Sequence, residues 1–265
     1  STDDMQAFGF IQNMGMEVDD FWNLCGEFSK SQQAENILSY MYITLKTAKE
    51  RGIKLTKEYF AECGKGVKFF DGVETWFDRI NEYGKKLGVT IEHYVVSSGL
   101  TQIIKGTKIA KHFKVIYACD YVYENGEPIW PALSLNYTNK TQFLYRINKG
   151  CFDVLDRAVN EEMPYDQRPM PFANMIYIGD SATDIPSMRM IVKSGGTAIG
   201  LYQPKTFNEK YLRDLLRRDR ISFVAKADYT QNSEFDIVIK EIINKIKYQN
   251  TLDEIRQKQK DVKDN

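Results

Sequence analysis

An α/β fold, built on a doubly wound and mostly parallel sheet, is what this 265-residue sequence predicts. Three observations carry the prediction. Short apolar runs of strand length recur at Tyr94-Val95-Val96, at Val115-Ile116-Tyr117-Ala118 and over residues 175–178, 197–199 and 221–225. Helical periodicity lies between them, and that alternation places helices on both faces of a parallel sheet. Before the first run no strand-like alternation occurs, and the chain reads as helical as far as Gly84 or Gly88. The expected organisation is a mainly helical cap region over residues 1–85, an α/β core over 86–248 and a polar tail over 249–265.

Each element has its own signal. Ile37, Leu38, Met41, Leu45 and Ala48 mark one face of a helix, with Ser29 and Gln32 as its capping box and Gly52 as its stop. A second helix starts near Asp71 and buries Val73, Trp76, Phe77 and Ile80. The run Tyr94-Val95-Val96 ends in Ser97-Ser98-Gly99, after which a short helix starts at Leu100. Asn125-Gly126, between Tyr121-Val122-Tyr123 and Ile129-Trp130, predicts a hairpin, and the chain continues extended from Pro131 to Tyr137. A long helix is expected over residues 139–160, with Phe143, Leu144, Ile147, Val154, Leu155 and Ala158 on one face. Pro164, Pro169 and Pro171 follow it as loop. The last helix carries Phe235, Ile239, Ile242, Ile243 and Ile246, and the polar tail beyond Tyr248 is expected to fray.

Composition narrows the function. Lys+Arg and Asp+Glu are both 36, so no global field draws the chain to nucleic acid or an anionic membrane. Arg213, Arg217, Arg218 and Arg220 form a local basic cluster that reads as a solvated helix face. Cys25, Cys63, Cys119 and Cys151 make no CxxC pair, which suits reduced thiols in a cytoplasmic protein. No apolar run approaches the length of a membrane span, and no signal-peptide pattern is read. His93 and His112 are the two histidines. A His-rich zinc site is excluded, neither histidine looks like a positioned base, and acid–base work falls to carboxylates. Neither GxGxxG nor GxxxxGK[ST] occurs, which argues against a dinucleotide site or a P-loop.

Three stretches carry chemistry. Gly179-Asp180-Ser181-Ala182-Thr183-Asp184 follows the run at 175–178, so two carboxylates sit just past a strand end, where α/β proteins place ligand sites. Such an oxygen pair suits Mg²⁺, which binds through one or two carboxylates and a substrate phosphate. Ser97-Ser98-Gly99 offers a hydroxyl and backbone N–H groups to a phosphate oxygen, or a plain helix cap. Lys140, in Asn136-Tyr137-Thr138-Asn139-Lys140-Thr141, stands where an extended segment enters a helix. There it can neutralise a phosphate or lie on the surface. Their occurrence in order at successive strand ends is more specific than any one alone.

In this order the stretches resemble the haloacid dehalogenase superfamily of phosphohydrolases, whose core is Rossmann-like. The resemblance is nearest to the phosphoserine-phosphatase-like and pyrimidine-5′-nucleotidase-like branches, where a helical cap is inserted between the first and second motifs. Ser97 matches the second-motif hydroxyl, Lys140 the third-motif lysine, and Gly179, Asp180 and Asp184 the fourth motif, GDxxxD. Lys149, in Asn148-Lys149-Gly150, is a rival for the third; Lys140 is preferred because it follows the extended segment directly. The resemblance spans residues 1–230. It implies Mg²⁺-dependent hydrolysis of a small phosphorylated metabolite through an aspartyl-phosphate, with Asp180 on the metal and Asp184 supporting the metal or its waters. Ser97, Ser98, Gly99 and Lys140 would bind the phosphoryl group. Phe8, Phe21, Trp22 and Tyr42 would line the substrate gap or the interior of the cap.

The first motif of that family, an apolar strand ending in Asp-x-Asp, does not occur in this sequence; Asp3-Asp4 and Asp19-Asp20 are adjacent pairs that follow no strand. Three readings are expected in descending order: a normal enzyme represented by a fragment, a relative that binds phosphate without turnover, and an unrelated α/β binding module. Loss of the first strand would leave two strand edges unpaired and the chain poorly stable. Substrate identity and oligomeric state are not legible.

Overall fold

The computed structural model describes residues 8–203 and 209–260. Its helices are α1 (Phe8–Asn13), α2 (Val18–Gln32), α3 (Asn36–Glu50), α4 (Lys57–Lys65), α5 (Val73–Lys86), α6 (Thr101–Gly106), α7 (Lys140–Lys149), α8 (Ile185–Lys193), α9 (Glu209–Arg217) and α10 (Glu234–Lys260). Its strands are β1 (His93–Leu100), β2 (Phe113–Glu124), β3 (Glu127–Leu133), β4 (Ile176–Gly179), β5 (Thr197–Tyr202) and β6 (Phe223–Lys226). They fall into two compact units. One combines the chain up to Phe69 with His93–Tyr145, the other Phe70–Glu92 with the chain from Arg146 onward. No helix among the described residues is long and apolar enough to cross a membrane.

In the first unit, α1 to α4 form a helical layer around Phe10, Phe21 and Phe60, whose rings meet edge-on at about 6 Å. The cap of α3 is Glu35, which accepts from the Leu38 amide at 2.9 Å, and not the expected Ser29–Gln32 box. Ser29 lies inside α2, whose end is set by Gln33 in the left-handed region at φ 51°. Gly52 takes φ +66° just after α3, as expected of a stop. Two glycines join this layer to the sheet. A Cβ on Gly64 of α4 would lie 2.1 Å from the Ile103 carbonyl oxygen, and one on Gly106 of α6 would lie 1.9 Å from that of Ala61. The two helix backbones therefore touch, and no side chain fits between them. Tyr121 reinforces the joint by stacking on Phe60 and donating its hydroxyl to the Met41 carbonyl at 3.0 Å.

The sheet of this unit runs β1-β2-β3. β1 and β2 are parallel; β2 and β3 are antiparallel through Asn125 (φ 50°) and Gly126 (φ 83°), the predicted hairpin. Pro128 and Pro131 lie in the outermost strand, where a missing N–H breaks no ladder on the solvent side.

In the second unit, β4, β5 and β6 are all parallel, in that order. The α/β alternation is as predicted. Among the described residues β1 and β4 each pair with one neighbour and stand at one edge of their own sheet. Buried Asp236 of α10 receives Arg79 of α5 at 3.2 Å, Lys240 at 2.6 Å and the Asn232 amide at 3.0 Å. Around this ion cluster Trp76, Tyr229 and Phe235 pack with ring centres 4.6–5.8 Å apart. The expected buried face of α5, Val73, Trp76, Phe77 and Ile80, is buried.

The expected long helix over 139–160 is not one helix. α7 stops at Lys149 because Gly150 turns left-handed (φ +70°). Arg146 folds the following chain back by donating to the carbonyls of Asp153 (2.6 Å), Val154 (2.8 Å) and Asp156 (2.9 Å). Val154 and Leu155, counted above as a buried face, are exposed. Beyond Tyr248, α10 continues to Lys260 as an exposed helix, supported by Gln249–Asp253 at 3.0 Å and Thr251 on the Lys247 carbonyl.

Two expectations follow. Gly106→Ala should cost several kcal/mol, in the range diagnostic of a steric clash, measured by urea unfolding; a change below about 0.5 kcal/mol would refute the close crossing of α4 and α6. His93 is held neutral, its pKa lowered to about 4 by burial and then by neighbouring His112. A histidine whose folded pKa is depressed stabilises the fold above its unfolded value and loses that contribution as pH falls toward the folded one. Stability should therefore drop between about pH 6.5 and pH 4, by at most roughly 3 kcal/mol, and His93→Gln should flatten that window. The loss that begins below about pH 4, where Asp236 with its lowered pKa takes up its proton, should remain.

Candidate functional site

The acidic loop belongs to the second unit. β4 ends at Gly179, where a Cβ would lie 2.8 Å from the Asp184 Cβ, so only glycine lets Asp184 pack beneath the strand end. Residues Ala182–Asp184 make one 3-10 turn that leads into α8, which has proline in its first turn. Buried Asp184 closes the loop on itself. Its Oδ1 accepts from the Tyr177 hydroxyl at 2.8 Å, and its Oδ2 accepts from the Ser181 amide at 3.2 Å and the Ser181 hydroxyl at 3.0 Å. Ser181 and Thr183 also share a hydrogen bond at 2.7 Å. Asp180, at the C-terminal end of β4, is exposed. The two carboxylates thus differ: one braces the loop from inside, the other is presented to solvent. Burial, and then the Asp184 charge, push the Tyr177 phenol well above its ordinary pKa, which keeps it a donor.

The second-motif and third-motif residues belong to the first unit. The ladder of β1 on β2 is regular to Ser97–Ala118 and resumes at Leu100–Cys119, so Ser98 and Gly99 bulge out of register. The Ser97 hydroxyl accepts from the Gly99 amide at 3.0 Å and stiffens the bulge. The Ser98 carbonyl accepts from the Cys119 thiol at 3.3 Å and the Tyr40 hydroxyl at 3.4 Å, while the buried Ser98 hydroxyl has no hydrogen-bond partner. Lys140 is the first residue of α7 and is 3% exposed. Cys119 links the two: its thiol is pushed up to about 11 by burial, an effect eased by its backbone hydrogen bond with Leu135 and by the charge of Lys140. Ser98 is thus hydrogen-bonded to a buried thiol whose ionisation the Lys140 charge favours.

Lys149 is occupied elsewhere. Its ammonium donates to the carbonyls of Val159, at 2.8 Å, and Glu161, which fastens the loop after α7. The four cysteines are buried free thiols, and burial pushes Cys25 up to about 12. In the arginine cluster, Arg213 pairs with Glu209 at 2.6 Å and Arg218 with Asp214 at 2.9 Å, each four residues apart on the solvent side of α9 and just past its end. Phe21 is interior to the helical layer, and Tyr42 is half-exposed and stacked on Phe28. The Phe8 side chain lies outside the described residues. Tyr177 is the participant the sequence reading missed; its signal was a phenol in an otherwise aliphatic strand, which needs a partner when buried.

No family model matches the chain. An uncharacterized protein of Borreliella burgdorferi is 29% identical to it, over 78% of this chain and 80% of its own. Among solved structures, a cytosolic 5′-nucleotidase IIIB bound to cytidine aligns with a TM-score of 0.48 at 15% identity, covering 94% of this chain and 82% of that one. A HAD family hydrolase from Salmonella enterica serovar Typhi aligns with a TM-score of 0.54 at 14% identity, covering 91% of this chain and 67% of that one. This likeness is one of fold: the α/β architecture of this chain is that of a HAD family hydrolase.

Proposed function

We propose that this chain carries the phosphoryl- and metal-binding machinery of a Mg²⁺-dependent phosphomonoester hydrolase acting on a small phosphorylated metabolite. The observation that carries the reading is Lys140. A lysine opposes the helix dipole at an N-terminus, and burying its charge costs more still. A lysine at such a position, beside the interactions it already makes, is placed to meet the negative charge of a phosphoryl group. The Ser97–Gly99 bulge supplies a hydroxyl and backbone amides of the kind that bind phosphoryl oxygens. A phosphorylated amino acid, a nucleoside monophosphate and a sugar phosphate all satisfy this chemistry.

The donor set suits Mg²⁺. Among the described residues no three His, Cys, Asp or Glu side chains gather as an all-protein cage requires. Mg²⁺ needs no such cage, because it keeps several waters and takes one or two carboxylates with phosphate oxygens. Asp180 is the carboxylate we assign to it, and Asp184 holds the loop that presents Asp180. When bound, the ion would neutralise charge on the transferring phosphoryl group.

Hydrolysis through an aspartyl-phosphate also requires a nucleophilic aspartate, and this sequence contains no Asp-x-Asp. That observation favours a second reading, in which the chain binds a phosphorylated ligand without turnover. A panel of phosphomonoesters assayed with Mg²⁺ and with chelator, alongside ³¹P-detected binding of inorganic phosphate, separates the two. Under the hydrolase reading phosphate is released only with Mg²⁺, and only by the intact protein that supplies the nucleophilic aspartate. Asp180→Asn then abolishes release and Lys140→Ala lowers kcat/KM by about 10²- to 10³-fold. Under the binding reading there is no release, and Lys140→Ala weakens phosphate binding about tenfold. Neither release nor binding would overturn both.

A further inference from the structure

We propose that Tyr177 is a positioning residue that aims Asp180 by acting through Asp184. The inference rests on the reading of Asp180 as the metal-binding carboxylate. The geometry forms a short relay. The phenol on β4 donates to one oxygen of Asp184, and the other oxygen accepts both the amide and the hydroxyl of Ser181, the residue next to Asp180. Gly179 on the other side of Asp180 has no room for a side chain because Asp184 fills the space. Asp180 is thus flanked by two residues whose positions Asp184 sets, and the orientation of Asp184 is set by a buried ring on a strand.

Tyr177 has the attributes such a role needs. It pairs in register with Ala198 at the centre of the β4–β5 ladder, so its ring does not move with the loop. Its hydroxyl donates to Asp184 Oδ1 at 2.8 Å, and a donor is what a carboxylate oxygen facing the core requires. Without that donor the buried Oδ1 would lose this hydrogen bond, and Asp184 would gain by swinging toward water. The Ser181 bonds would go with it, and the backbone at Asp180 would lose its anchor. A ligand held 1 Å or a few degrees off its required place binds its ion less well, as is general for residues that orient metal ligands.

Tyr177→Phe tests this because it deletes one oxygen and keeps the ring in the core. The readouts are Mn²⁺ affinity by water-proton relaxation, with Mg²⁺ as competitor, amide hydrogen exchange at Ser181, and the melting temperature. The expected result is about a tenfold loss of Mn²⁺ affinity, in line with losses at residues that orient metal ligands, and faster exchange of the Ser181 amide. A lower melting temperature with unchanged Mn²⁺ affinity and unchanged Ser181 exchange would overturn the proposal and leave Tyr177 a packing residue. Ser181→Ala, which removes one bond at the far end of the relay without touching the core, should weaken Mn²⁺ binding in the same direction. It decides the matter if Tyr177→Phe fails to fold. Asp180→Asn separates this inference from the reading beneath it. If that variant binds Mn²⁺ as the parent does, the metal assignment fails. Ser181 exchange in Tyr177→Phe then still decides whether Tyr177 orders the loop.

Discussion

A charge taken out of water must be met by fixed partners, and three such charges organise this chain. Asp236 gathers Arg79, Lys240 and the Asn232 amide and thereby joins α5 to α10, elements about 150 positions apart in sequence. Arg146 gathers three carbonyls and turns the chain back after α7. Asp184 gathers Tyr177 and Ser181 and shapes the acidic loop. Removing one partner from such a group leaves an uncompensated buried charge, which costs more than the pair contributes. The apolar core allows many arrangements of these helices and strands, and the buried charges select among them.

Apolar periodicity made the main elements legible, and it failed where a polar group decided the outcome. The strands at 94–96, 115–118 and 175–178 were readable because parallel strands buried on both faces are short apolar runs. The hairpin was readable because Asn125-Gly126 has the backbone freedom that its turn demands. The helix over 139–160 was overextended because Val154 and Leu155 continue the period of α7, whereas Gly150 and the carbonyls around Arg146 end it. The cap of α3 was misplaced because Ser29 and Gln32 fit the capping pattern but lie inside α2, and the carboxylate that does the capping is Glu35. Each error is a side chain whose partner is a backbone group that the sequence does not place.

The candidate residues were legible as types in order, not as roles. Lys140 and Lys149 were rivals on spacing alone. Burial at a helix N-terminus distinguishes the first, and two carbonyls occupy the second. Asp180 and Asp184 were equivalent carboxylates in the sequence; in the structure one is exposed and the other braces the loop. Gly64 and Gly106 carried no sequence signal at all, yet their contact sets the helical layer against α6, the helix that follows β1. The fold likeness, at 14% identity, speaks for the architecture, so the functional account stands on these side chains.

The most direct test is a crystal structure of this chain grown with Mg²⁺ and inorganic phosphate. The account predicts phosphate held by the Lys140 ammonium and the Ser97–Gly99 bulge, with Mg²⁺ on the Asp180 carboxylate and Asp184 still bonded to Tyr177 and Ser181. Phosphate bound at other residues, with Asp180 making no contact to metal at saturating Mg²⁺, would contradict it.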